Sequence, residues 1–213
     1  MKLSRIFLIA VVSLFITTNV FAGFGLKSLT GGGGVDVDAL TKDQSALLKQ
    51  VSAALLNLAK SQTLMADALG LKEEAAIATQ NASTLESGDL TGKDDMEKQI
   101  SSSQKVNDAI AAKIADSEAL SAESKATFAK SLPPYGKGAV GMVLSSKTAI
   151  EKGKSLTKTK DLTVLTKLSP LISYAKKAPN LIKNTYSTTN SIIKFSKTNS
   201  IDTSELEDAT SSW

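Results

Sequence analysis

No cysteine and no histidine occur among the 213 residues, and the single arginine stands at the fifth position. Without histidine the chain has no side chain that titrates near pH 7 unperturbed, no imidazole metal ligand and no Ser-His-Asp triad. Without cysteine it has no thiol nucleophile, no thiolate metal site and no disulfide, so a fold in an oxidising compartment must rest on packing. Aromatic residues make up 5% and there are four prolines. That leaves few platforms for stacking sugars and little of the Tyr and Phe that sheets favour. The lack of arginine beyond Arg5 removes the bidentate fork that reads bases and phosphates, which argues against nucleic acid as a partner.

Lysine with serine, and pairs of carboxylates, are the catalytic materials that remain. Ser-x-x-Lys spacing occurs at Ser102/Lys105, Ser155/Lys158, Ser173/Lys176 and Ser191/Lys194. The Ser-Asp-Asn and Lys-Thr-Gly companions of Ser-Lys catalysis are missing. The expectation is a protein that is not an enzyme and uses no cofactor and no metal.

The first residues read MKLSRIFLIAVVSLFITTNVFAG. A positive start at Lys2 and Arg5, a short apolar run from Ile6 to Ile16 and a Val-Phe-Ala ending at Ala22 have the form of a secretory signal peptide, cleaved after Ala22. The run is shorter than the roughly 20 residues that span a bilayer. No cysteine follows to accept a lipid. The expected location is the periplasm, with the extracellular space as the alternative, and the remaining stretch of roughly 190 residues suffices for one domain.

Gly31 to Gly34, followed by Asp36, Asp38 and Asp43, invite comparison with a phosphate or calcium loop. A phosphate loop needs Gly-Lys-Ser/Thr after its glycines, and Val35-Asp36 stands there instead. Counted from Asp36 as a calcium loop, Thr41 replaces the sixth-position glycine and Leu47 the twelfth-position glutamate. The stretch therefore reads as a linker over 23–36 leading to a helix cap at Asp38 or Thr41, with Thr41 to Gln44 at capping-box spacing. Gly88 to Asp95 is a fainter echo of a phosphate loop and reads as a turn between helices.

Apolar spacing predicts an all-α chain, an antiparallel helical bundle over residues 37–200 with Ala-rich, heptad-like seams. Leu48, Val51, Leu55, Leu58, Met65 and Leu69 form one seam, interrupted at Gln62, which reads either as a register-fixing polar residue or as a wet position. Leu71, Ala75, Ala78, Ala82 and Leu85 form a second. Met96, Ile100, Ile110 and Ile114 form a third, interrupted by Ser103 and Asn107. Gly70 stands where a helix C-terminal glycine stands, and Ser121 reads as a helix N-cap. Pro133-Pro134 is expected to end or sharply kink its helix. The stretch 157–200 is predicted helical, with a strand pair as the alternative because Thr, Ser and Asn are mediocre helix formers. Residues 201–213 read as a disordered acidic tail.

Charge is segregated along this chain. Residues 67–123 carry five lysines against twelve acids, residues 124–200 carry fourteen lysines against two acids, and the tail carries four acids and no lysine. The bundle thus divides into an acidic part, 37–132, and a basic, proline-interrupted part, 133–200. Lys147, Lys152, Lys154, Lys158, Lys160, Lys176, Lys177 and Lys183 are the candidate contacts for an anionic partner, either a lipid surface or an acidic protein. The competing reading packs the basic block against the acidic block of the same chain. Gly138, Gly141 and Met142 are candidates for a groove or for close helix packing. Function is therefore expected to be binding or interaction, the second reading being a carrier of an apolar or lipid ligand in the bundle core and the third a Ser-Lys or carboxylate hydrolase.

Overall fold

The structure, a computed structural model, describes residues 36–88, 90–116, 119–156 and 161–211. The expected signal peptide, the expected glycine linker as far as residue 35, and Lys158 and Lys160 lie outside the described residues. Seven helices follow one another, α1 (Val37–Ala68), α2 (Lys72–Glu86), α3 (Lys93–Asp116), α4 (Ala122–Leu156), α5 (Leu162–Lys167), α6 (Ser169–Thr198) and α7 (Ser204–Thr210). There is no strand among the described residues, and the helices pack against each other.

Helix α1 starts at Asp36, whose Oδ1 accepts from the Ala39 amide at 2.9 Å. The cap is thus Asp36, instead of Asp38 or Thr41, and the capping box at Thr41 does not form. The Thr41 hydroxyl bonds back to the Val37 carbonyl, and Gln44 is drawn away to another helix. Gly70 ends α1 with φ +75°, its amide bonding to Asp67 O while Leu71 N reaches Ala66 O. This is the Schellman pattern, and the positive φ is why glycine stands there. The seam residues Leu48, Val51, Leu55, Leu58, Met65 and Leu69 are all buried.

Helix α4 lies along α1 and α6. It runs through Pro133 and Pro134, so of the two expected outcomes the prolines do not end the helix. Each proline removes a helix hydrogen bond at a cost of about 3 kcal/mol. Phe128, Leu132, Tyr135 and Ala139 are buried on both sides of the pair, and their packing holds the helix through it. Ser121 caps α4, its hydroxyl accepting from Ser124 N at 3.1 Å.

Helix α6 is helical despite its Thr and Ser content, so the strand alternative is not realised. Thr185 and Thr189 turn their hydroxyls back to the carbonyls four residues earlier, at 2.7 and 2.8 Å. Those bonds satisfy the groups that otherwise compete with the helix. Its buried stripe runs Leu171, Tyr174, Ala178, Leu181, Thr189, Ile192 and Phe195, with Phe195 tilted against Phe128 at 5.2 Å between ring centroids.

The acidic tail is structured where it is described, a second correction. Its helix α7 packs on α4, burying Leu206. Gly136 leaves the space beneath it, since a Cβ there would meet Leu206 Cδ1 at 3.4 Å. Ile201 is buried as well, and Lys197 pairs with Glu207 at 2.6 Å. Two apolar side chains in an otherwise acidic segment supply the anchoring that net charge conceals.

Candidate functional site, a basic cleft between α3 and α6

The polar interruptions of two seams meet one another. Gln62 of α1 is fully buried, and its Nε2 lies 2.8 Å from Ser103 O, 2.9 Å from Ser103 Oγ and 2.8 Å from Asn107 Oδ1. The two gaps in the α3 pattern are therefore the acceptors for the one gap in α1. The amide nitrogen of Gln62 finds these acceptors only at this alignment, which fixes α3 against α1, while its Oε1 is buried without a partner among the described residues.

Beyond this knot, α3 and α6 face each other across an open cleft of about 540 Å³. Its α3 wall is Glu97, Ile100, Ser101 and Gln104. Its α6 wall is Lys176, Lys177, Asn180, Leu181, Lys183 and Asn184. The spacing on α6 puts residues 176, 180, 183 and 184 on one helical face. An adjoining space of about 40 Å³ shares Ile100, Gln104, Leu181 and Asn184 with the cleft and is lined also by Leu55, Leu58, Tyr135, Met142 and Asp108.

One end of the cleft is closed by charge. Ser173 donates to the Glu97 carboxylate, and Lys177 Nζ lies 3.4 Å from it. The Ser173 hydrogen bond above all, with the Lys177 and Lys93 charges, holds the Glu97 carboxyl below its ordinary value against the opposing effect of burial. Lys176 and Lys183 are exposed and make no ion pair among the described residues, so the cleft is net positive. Gln104, Asn180 and Asn184 likewise have no hydrogen-bond partner among the described residues.

The other candidate lysines separate. Lys152 pairs with Asp43 of α1 at 2.7 Å, so its charge is spent inside the fold. Lys147 and Lys154 are exposed on α4, away from the cleft lining. Lys177 to Glu97 joins the basic and acidic blocks, whereas Lys130, Lys137, Lys147, Lys176, Lys183 and Lys194 stay exposed without an ion pair among the described residues. The six point outward.

Of the glycine candidates, Gly138 and Gly141 serve close packing. A Cβ at Gly138 would sit 2.7 Å from Leu58 Cγ and 2.8 Å from Leu58 N, and one at Gly141 would be 3.0 Å from Ala54 Cβ. Met142 is buried and lines the narrow space adjoining the cleft, its sulfur accepting from the Tyr174 hydroxyl at 3.1 Å. Burial raises the pKa of both Tyr174 and Tyr135, whose hydroxyls are spent on Ser145, Ser146 and Thr189. Three serines of the Ser-x-x-Lys pairs are engaged elsewhere, Ser102 with Asn81, Ser173 with Glu97 and Ser191 with the Ser187 carbonyl, and the pair Ser155/Lys158 lies outside the described side chains. No group of three or more acidic side chains among the described residues is placed to hold a metal ion.

Gln104, Asn180 and Asn184 were not legible as site residues. The signal available was the four-residue step from Asn180 to Asn184 interleaved with Lys176 and Lys183, and reading it required knowing that α6 faces α3. Compared with known proteins, the chain matches no family model, and no curated protein and no solved structure matches it.

Proposed function

We propose that the protein is an exported, non-enzymatic interaction module of the cell envelope whose lysine-rich stretch, residues 124–200, meets an anionic surface. The observation that carries this reading is the outward direction of its lysines. Helix α6 holds no acidic residue and exposes Lys176, Lys183 and Lys194 without an ion pair among the described residues, and α4 adds Lys130, Lys137 and Lys147 on exposed positions. Near an anionic leaflet each such lysine contributes about 1 kcal/mol, an attraction that salt screens within about 10 Å at 0.1 M. The contact is peripheral, as no helix among the described residues is long and apolar enough to cross a membrane.

A packed interior supports interaction at the surface over carriage of an apolar ligand. The narrow space adjoining the cleft measures about 40 Å³, enough for about three waters. Export rests on the N-terminal sequence. The finer architecture belongs to the same proposal, an antiparallel bundle with alanine-lined seams. It is supported by the short link from Leu69 to Leu71 between α1 and α2 and by the buried Ala75 and Ala78.

Flotation of the chain from Gly23 to Trp213 tests the proposal. Vesicles containing phosphatidylglycerol are expected to carry it at low salt and release it at high salt, and phosphatidylcholine vesicles to leave it behind. Equal recovery with both vesicles, or with neither, contradicts it.

A further inference from the structure

We infer that the α3–α6 cleft binds a small phosphorylated polyol of sugar-phosphate size, a role separate from contact with a surface. Its volume, about 540 Å³, falls within the 300–1,000 Å³ usual for small-molecule sites. The charge balance indicates a dianion. Glu97 is already matched by Ser173 and Lys177, which leaves the Lys176 and Lys183 ammonium groups without an ion pair among the described residues. A phosphomonoester carries close to two negative charges at neutral pH, and lysine meets it as a point charge.

The remaining polar lining suits hydroxyl groups. Gln104 on one wall and Asn180 and Asn184 on the other each offer an amide donor pair and a carbonyl acceptor, with the Ser101 hydroxyl beside them. None of the three amides is used within the fold among the described residues. The floor, Ile100 and Leu181, is apolar but shallow. The adjoining space of about 40 Å³ is too small for an acyl chain, so the cleft takes a phosphate-bearing polar group and not a whole lipid, and phosphatidic acid vesicles separate a headgroup from a soluble phosphate.

The inference does not rest on the surface reading, and the two are separable by variant. Side-chain amide resonances of the full chain are followed by ¹H–¹⁵N NMR during titration with glucose 6-phosphate, with glucose and inorganic phosphate as controls at constant ionic strength. Glucose 6-phosphate is expected to give saturable shifts at Gln104, Asn180 and Asn184, with phosphate weaker and glucose silent over the same range. Lys176→Gln with Lys183→Gln is expected to weaken binding roughly tenfold or more, whereas Lys130→Gln with Lys137→Gln on α4 leaves it unchanged. All four lysines are exposed, and a thermal melt checks that each double variant is folded. Shifts that do not saturate, or that weaken equally in the two double variants, would mean diffuse attraction and overturn the inference. So would binding to phosphatidic acid vesicles through Lys176 and Lys183 without any response to glucose 6-phosphate.

Discussion

Where α4 meets α1, the helices touch through small residues, with Gly138 against Leu58 and Gly141 against Ala54. Where α6 faces α3, lysines and amides hold the walls apart, joined at one end by the contacts that Ser173 and Lys177 make to Glu97. The first contact buries backbone against backbone and tolerates no added atom. The second leaves polar groups for solvent or a ligand. Close packing lies in one interface and unused polar groups in the other.

Substituting Gly138→Val strikes the tight contact directly. The new Cβ meets backbone atoms as well as the Leu58 side chain, so relief by a rotamer change is blocked. The expected loss is about 3 kcal/mol or more, measured by urea unfolding, and a neutral result would show that α1 and α4 are not so close. Leu206→Ala comes next, at about 2 to 3 kcal/mol, because it empties the space over Gly136. An unchanged unfolding midpoint would return the tail to the disorder its charge suggests. Gln62→Ala removes the donor shared by Ser103 and Asn107 and is expected to cost about 2 kcal/mol, read from the same urea curves.

The open contact responds more weakly and mainly through pH. The folded pKa of Glu97 lies below its unfolded value. Its contribution to stability is therefore present above the ordinary value of 4.5 and is lost as pH falls through the lower folded pKa. Glu97→Gln is expected to lower stability modestly at pH 7 and to flatten the acid limb, so that its curve meets that of the unaltered chain well below pH 4.5. Melting curves from pH 3 to 7 check this, and a large loss at pH 7 would mean that the cleft is sealed more firmly than its ion pair implies.

Much of this comparison was readable in the chain before its fold. The seam of α1 named its buried residues because a heptad repeat reports contact with a neighbouring helix wherever that neighbour lies. Gly70 and Ser121 were readable because their roles are local. What escaped was set at a distance. The helix through Pro133-Pro134 persists because residues on either side pack elsewhere. Gln44 fits a local capping box, yet its amide reaches Lys167 O at the end of α5 and Leu171 N at the start of α6, both at 3.2 Å. The tail's four acids outweighed Ile201 and Leu206 in the sequence, but two buried side chains decide where it lies. For the same reason the lysine block could be counted in the sequence but not oriented. The structure separates Lys152, paired with Asp43, from Lys147, exposed with no ion pair among the described residues.

The central claim is that the exposed lysines of α4 and α6 meet an anionic surface. It is tested most directly by flotation of the chain carrying Lys137→Gln, Lys147→Gln and Lys194→Gln with phosphatidylglycerol vesicles, alongside the unaltered chain at the same low salt. The account predicts that most of the recovered protein is lost from the vesicle fraction in the triple variant, with the melting temperature unchanged. Recovery equal to that of the unaltered chain would contradict it.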